Sequence, residues 1–381
     1  MNKMIKLTSC LLVSAILFGL FSSCVTTNGE KKVQVGAILS LTGAAAPYGQ
    51  DNLRGIQVAQ EVINEKGGIN GKTFEIDVQD SAGDPAQAVT LTQRFAADAN
   101  TVAIIGPTRT GETVAVAKLL PNLQIPMMSV GSTGDWKSAG GEFNDWTFRS
   151  TRVDTNLIEP LMLEARDRFN IKRIAILYTA NDDYSISVQP VYERAISDLG
   201  LELVAKESQM TGDADRSAQL TKIMAENPDG LILNTLSSDA PTIADQARRL
   251  GFKGRFIGTA GFSNPATWNL AGPNVLEGTL TADNFFPGSE KTSVREFMAR
   301  YKKKFGADPP AYAAYAYDGV MLVAEAIKNA SSNDRKSVRE ALGSISNFDG
   351  VLGTLTYHGK GDAEKTPIIL QITNGTYQKV N

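Results

Sequence analysis

Short apolar segments alternate along the chain with stretches of helical periodicity, and this alternation restricts the fold more than any other feature. Residues 35–39, 102–105, 174–178 and 231–233 form apolar runs, several of them followed by turn residues. Strands that are buried on both faces belong to parallel sheets covered by helices. The sequence therefore predicts an α/β protein made of repeated strand–helix units.

Three helices are recognisable from their apolar spacing. Apolar residues recur at helical intervals within 188–199, 294–305 and 313–327, and Gly200 follows the first of these as a C-terminal stop. Three consecutive lysines at 302–304 fall near the end of the second helix. We interpret them as a solvated face and favourable helix C-terminal charge, not as a nucleic-acid patch.

The chain is long enough for two hydrophobic cores. It has 381 residues, of which 42% are hydrophobic and 21% charged, as expected of a globular protein. Strand–helix units occupy about 33–148 and 172–280, and a helix-rich and then β-rich tail follows. We expect that tail to complete both lobes.

The first residues have the features of a secretion signal. Lys3 and Lys6 precede an uncharged apolar run at 11–21, which is too short to span a membrane because a spanning helix needs roughly 20 residues. The small residues before Cys24 resemble the lipobox of bacterial lipoproteins, although Phe21 replaces the usual Leu. The resemblance implies a leader at 1–23, a lipid on Cys24 and a tether at 24–32; ordinary secretion with a free Cys24 is the alternative.

Charge and cysteine content exclude several kinds of partner and cofactor. Removing residues 1–23 deletes Lys3 and Lys6 and no acid, so the net charge falls from −3 to −5, which disfavours nucleic acid. Cys10 leaves with the leader and Cys24 carries the lipid, so no disulfide or thiolate metal site is expected. We expect no cofactor, and a structural role for the single histidine, His358.

Several motifs, in order, resemble the leucine-binding family of type I periplasmic binding proteins. They are GAILSLTG at 36–43, YG at 48–49, NEKGGI at 64–69, DP at 84–85, IGP at 105–107 and QARRLG at 246–251. The resemblance implies two Rossmann-like lobes with parallel sheets, joined by crossovers near Ser150, Ala282 and Thr354. Lobe 1 would comprise 33–150 and 283–353, and lobe 2 would comprise 151–282 and 354–381.

Ligands of parallel α/β sheets lie beyond the carboxyl ends of the strands, which directs attention to the loops there. The resemblance implies that Thr110, Ser132 and Thr133 hold a solute carboxylate, with Ser129 beside them. Hydroxyls and free amides at a helix start suit an anion. Capping of their own helices is the alternative role for these side chains.

The resemblance also implies that Tyr184 closes over the solute and that Tyr48 does so from the first lobe, with lobe packing as the alternative. Leu236 and Ser237 stand where the family uses an aromatic residue. Ala260 stands where binders of aliphatic amino acids place a glutamate that accepts the solute ammonium. Either another acid replaces it, or the solute has no ammonium group; the candidate acids are Asp182, Asp183, Asp239 and Asp318.

The sequence thus predicts a monomeric, lipid-anchored solute-binding protein of an ABC importer, facing out of the cytoplasm and docking to a membrane permease. A sensor lipoprotein of the same fold is the alternative. An enzyme is disfavoured, because the single histidine and the missing phosphate-loop and nucleophile-elbow motifs leave few catalytic parts.

Overall fold

The computed structural model describes residues 32–380 except 138, 142–143, 273, 360 and 364–366. The predicted leader, Cys24 and nearly all of the tether lie outside the described residues. Lys32, expected in the tether, is instead the first residue of the first strand. Within the described part of the chain, no helix is long and apolar enough to cross a membrane.

The first strand–helix succession builds one lobe. Its elements are β1 (Lys32–Leu39), α1 (Ala46–Glu65), β2 (Thr73–Asp80), α2 (Pro85–Ala97), β3 (Thr101–Ile105), α3 (Thr110–Ala117), α4 (Leu120–Leu123), β4 (Met127–Ser129) and β5 (Thr147–Arg149). The five strands form a parallel sheet in the order β2-β1-β3-β4-β5.

The second succession builds the other lobe. It contains α5 (Thr155–Asp167), β6 (Arg173–Thr179), α6 (Asp183–Asp198), β7 (Glu202–Gln209), α7 (Ser217–Ala225), β8 (Gly230–Asn234), α8 (Ala240–Arg249), β9 (Arg255–Gly258), the 3-10 segments Ala260–Phe262 and Pro265–Leu270, and β10 (Leu280–Asp283). Gly200 follows α6 with a φ of +68°, a left-handed conformation that suits the predicted helix stop.

The tail packs first against the first lobe and then adds strands to the sheet of the second. Its elements are α9 (Thr292–Phe305), α10 (Ala311–Asn329), α11 (Arg335–Gly343), β11 (Phe348–Gly350), β12 (Gly353–Leu355), β13 (Ile368–Thr373) and β14 (Thr376–Lys379). The larger sheet has the order β14-β13-β10-β9-β8-β6-β7, in which β13 runs antiparallel to both of its neighbours and the other described strands share one direction. The two parallel sheets confirm the predicted α/β fold, and the three exposed lysines at 302–304 end α9.

Alternate residues of the inner strands enter different cores, which explains the uninterrupted apolar runs. Ile174 and Ile176 of β6 pack with α5 and α6, whereas Ala175 and Leu177 pack with α7 and α8. In the first lobe, Ile38 faces α2 and the odd-numbered residues of β1 face α1 and α10. Both sheets are therefore covered by helices on each face, as the sequence predicts.

The last passage between lobes comes later than expected. Leu355, Tyr357 and Ala363 belong to the first lobe's core, and the Tyr357 hydroxyl donates a hydrogen bond of 2.8 Å to the carbonyl of Arg149. The chain therefore leaves this lobe between Ala363 and Ile368, not near Thr354. The buried Tyr357 ring, which packs edge-on against Phe148, holds the intervening segment in the first lobe.

Candidate functional site

Loops at the carboxyl ends of the strands bring the two lobes into contact. Arg109, after β3, forms an ion pair of 2.5 Å with Asp182, which begins α6. Gly134 lies at the same junction, where a Cβ atom would stand 2.7 Å from Thr110 Oγ1 and 2.8 Å from Ser187 Oγ. The structure is thus a closed arrangement in which the strand ends face each other, as the binding hypothesis requires.

The first-lobe side of this cleft is a chain of hydroxyls. Thr110 is the first residue of α3, and its Oγ1 accepts a hydrogen bond of 3.2 Å from Ser132 Oγ. Ser132 in turn accepts a bond of 2.6 Å from Trp136 Nε1. Ser132 is therefore held between two partners and positions Thr110, with Trp136 as the donor to its hydroxyl.

Thr133 has a buried hydroxyl at the junction of the two lobes. Its side chain is buried, and Oγ1 makes no hydrogen bond of standard geometry to another described residue. Its carbonyl accepts a bond of 2.7 Å from the backbone N–H of Asp154, which begins the second lobe. The Thr133 hydroxyl lies near the Asp154 carboxylate and helps to lower the pKa of that acid, so the two groups meet where the lobes join. Ser129 differs, because its Oγ donates to the carbonyl of Pro107 at 3.3 Å within the first lobe.

The second-lobe side is built around a buried acid. The Tyr184 hydroxyl donates a bond of 2.6 Å to Asp154 Oδ2 and lies 2.6 Å from Thr259 Oγ1. Because one phenol has one proton, the Thr259 hydroxyl is then the donor to Tyr184. The pKa of Asp154 is raised to about 7, chiefly by burial and in part by the neighbouring charge of Asp283, while hydrogen bonds from nearby hydroxyls oppose the rise.

Aromatic rings cover the cleft from the first lobe. Tyr48 and Tyr312 have centroids 4.5 Å apart, and Tyr312 lies 5.1 Å from Tyr315, whose hydroxyl donates to Asp283 at 2.6 Å. The Tyr48 hydroxyl accepts a bond from the N–H of Ser237 across the cleft, while Ser237 Oγ is buried without a hydrogen bond to a described residue. The cleft thus combines aromatic walls, two acids and two buried hydroxyls, those of Thr133 and Ser237.

Comparisons with known proteins agree on one family. A family model described as periplasmic binding protein matches residues 32–376. The chain belongs to this family. Its members are extracytoplasmic solute-binding proteins, so the chain is a binding protein of the leucine-binding type and not an enzyme.

Individual relatives cover almost the whole chain. A Leu/Ile/Val-binding protein homologue of Brucella suis is 29% identical over 330 residues, 87% of each chain. A leucine-binding protein from Thermotoga maritima has a TM-score of 0.83 at 27% identity, over 92% of this chain and 98% of that chain. A branched-chain amino acid transporter substrate-binding protein from Streptococcus pneumoniae, solved with isoleucine, has a TM-score of 0.83 at 25% identity, over 92% and 100%.

Several acids that the sequence offers for a solute ammonium are engaged elsewhere in this periplasmic binding protein. Asp318 accepts the N–H groups of Val351 and Leu352 at 2.9 and 2.8 Å within the first lobe. Asp239 pairs with Arg216 at 3.4 Å within the second lobe. Asp182 has Arg109 as its partner, and Asp183 is exposed. Asp154 is the better placed acid, and sequence reasoning missed it.

The missed residues left weak signals in the sequence. Asp154 follows β5, so it too comes after a strand's carboxyl end, but no motif distinguishes it from a helix cap. Thr259 directly precedes Ala260, whose backbone begins a 3-10 segment and whose side chain is outside the described part. Tyr312 and Tyr315 lie in the first turns of α10, away from the apolar spacing that identifies this helix.

The remaining chemistry does not suggest catalysis in the described residues. His358 is an exposed turn residue with a φ of +45°. No group of three or more potential metal ligands occurs in the part of the chain that the structure describes. Trp146 and Trp268 have ring contacts outside the cleft, with Arg339 and Tyr377 respectively.

Proposed function

We propose that the protein captures an aliphatic α-amino acid for an ABC importer, with the carboxylate bound by the first lobe and the ammonium by the second. The single observation that carries this assignment is that the buried Thr133 hydroxyl and the buried Asp154 carboxylate lie side by side where the lobes join, linked by one backbone hydrogen bond. Relatives named for leucine, isoleucine and valine support the same class of solute.

The carboxylate would lie against Thr110, Thr133 and the first turn of α3. Backbone N–H groups at a helix start lack partners within the helix and favour an anion. Ser132 would keep Thr110 in place, because Trp136 fixes its hydroxyl. Ser237 Oγ would bind from the opposite side, where it is buried without a described partner.

The ammonium would lie at Asp154 and so replace the interaction that Ala260 cannot make. Asp154 receives its side-chain hydrogen bonds from hydroxyl groups, which leave a carboxylate lone pair for a further donor. A buried ammonium without an acid would cost several kcal/mol, so an acid here favours a zwitterion over an amide or a simple carboxylic acid. Tyr48, Tyr184 and Tyr312 would cover the aliphatic side chain.

Isothermal titration calorimetry with leucine, isoleucine and valine tests the assignment. Two analogues separate the charges: 4-methyl-2-oxopentanoate lacks the ammonium, and isopentylamine lacks the carboxylate. We expect each to bind at least tenfold more weakly than leucine. Equal binding of the oxo acid would contradict the role of Asp154, and equal binding of the amine would contradict the role of Thr133.

We also propose that the mature chain begins at Cys24 and is tethered to the outer face of a membrane through a lipid on its thiol. The basic, apolar and small-residue order of 1–24 supports this. The lobes would hinge open to release solute to a permease. Labelling with radioactive palmitate should mark the wild-type protein and not Cys24→Ser; an unlabelled wild type would favour ordinary secretion.

A further inference from the structure

A cavity lies between the lobes, away from the residues of the solute cleft. It has a volume of about 550 Å³ and is lined by α1, α9 and the loop before α10 in the first lobe. The second lobe contributes the 3-10 segment after β9 and the turn between β13 and β14. It shares no lining residue with the cleft described above, although Asp51 is only one helical turn beyond Tyr48.

The walls of this cavity are aromatic. Trp268, Tyr301, Phe305 and Tyr377 line it, and prolines fill much of the remaining wall. Trp268 and Tyr377 meet edge to face with centroids 4.9 Å apart, and Tyr301 and Phe305 lie 4.8 Å apart. Faces of aromatic rings carry negative potential and attract cations.

The cavity also contains a buried acid. Asp51 and Asp308 line it with Arg54, but Asp308 is exposed and paired with Lys302 at 3.0 Å, so Asp51 is the buried acid of the wall. Asp51 is 5% exposed and accepts a hydrogen bond of 2.7 Å from Asn264 Nδ2 of the other lobe. A carboxylate has about four acceptor positions, so this bond leaves capacity for another donor.

Arg54 shows that the site suits a cation. Its guanidinium lies 3.7 Å from Asp51 and 5.9 Å from the centre of the Phe305 ring. Its side chain is 49% exposed, so it reaches this position from the solvent side of the cavity. Burial raises the pKa of Asp51 to about 7 and Arg54 opposes the shift, so the acid is incompletely compensated.

We propose that this cavity binds a small organic cation with an apolar body, its charge between Asp51 and the aromatic walls. An anion would meet the buried Asp51 carboxylate, and the basic residue of the lining, Arg54, already pairs with that acid. A neutral apolar molecule would gain the same ring contacts but would leave the Asp51 carboxylate without a new donor. The class is therefore a substituted ammonium compound of modest size.

Benzyltrimethylammonium is the probe for this site, with 2-phenylethanol and phenylacetate as neutral and anionic comparisons. Titration of the solute-free mature protein should give saturable binding of the cation and at least tenfold weaker binding of the other two. Trp268 lines the cavity, so the cation should change the intrinsic fluorescence, and Trp268→Phe should abolish that change. Absence of saturable cation binding, or equal binding of phenylacetate, overturns the proposal.

Substitutions of two buried acids, one in this cavity and one in the solute cleft, show which of the two sites binds the cation. Asp51→Asn should weaken cation binding at least tenfold, whereas Asp154→Asn in the solute cleft should change it less than twofold. The reverse pattern would place the cation in the cleft and overturn the proposal without touching the amino acid assignment. Phe305→Leu provides a second test on a partly exposed ring and should weaken binding severalfold; unchanged binding in both cavity variants would also refute the site.

Discussion

The two sides of the solute cleft differ in what they offer. The first lobe supplies donors, with the hydroxyls of Thr110, Ser132 and Thr133 and the start of α3, whereas the second lobe supplies an acid, Asp154, oriented by Tyr184. Each set is held mainly by bonds within its own lobe. Only a zwitterion satisfies the donors of the first lobe and the acid of the second lobe at the same time. Recognition of the solute and closure of the lobes are therefore the same event.

The largest expected effect is on the acid side. Asp154→Asn should weaken leucine binding by about 100-fold, because an amide replaces the charge that would pair with the ammonium and a buried charged hydrogen bond contributes roughly 3 kcal/mol. Calorimetry should show no comparable loss for 4-methyl-2-oxopentanoate. Asp198→Asn, an exposed acid at the end of α6, is the matched control and should leave affinity unchanged.

The same substitution should stabilise the solute-free protein. Burial raises the pKa of Asp154 from 3.8 to about 7, so the folded state retains a proton that the unfolded state has lost. Its contribution to stability is therefore fully present near pH 4 and is lost as the pH rises to about 7. Asp154→Asn should gain up to about 4 kcal/mol at pH 8, the equivalent of a shift of about three pKa units, and little at pH 4, measured by urea unfolding. A gain of equal size at both values would contradict the shift.

Substitution on the donor side should cause a smaller loss of leucine affinity. Thr133→Ala removes the buried hydroxyl that lies near Asp154 and should weaken leucine binding at least tenfold, about 1.4 kcal/mol. The oxo acid should suffer the same loss, because it has the same carboxylate. Thr90→Ala on the exposed face of α2 is the control. An unchanged dissociation constant for leucine would remove Thr133 from the site.

The donor side could be predicted from sequence because it follows from local order. Thr110 opens a helix after a strand, and Ser132 and Thr133 follow another strand of the same parallel sheet, so their convergence is a consequence of the fold. The acid side was not predictable in this way. Asp154 comes after the chain leaves the first lobe, and its importance arises from burial against Tyr184 and Thr259, which are distant in sequence. The alternation of apolar runs with helical stretches predicts the strands and their buried faces. It does not predict which of several acids a crossover between the lobes brings to the cleft.

The smallest expected effect is on the pH dependence of leucine binding. With a pKa of about 7, Asp154 is about half protonated at pH 7, and a bound ammonium would ionise it fully. Leucine affinity should therefore rise about twofold from pH 7 to pH 8, with about half a proton released per leucine at pH 7. Calorimetry in buffers of different ionisation enthalpy measures that release. Asp51 has a similarly raised pKa but lines the other cavity, so Asp154→Asn should abolish the proton release and Asp51→Asn should preserve it. If the release survives in Asp154→Asn, the ammonium does not lie at this acid.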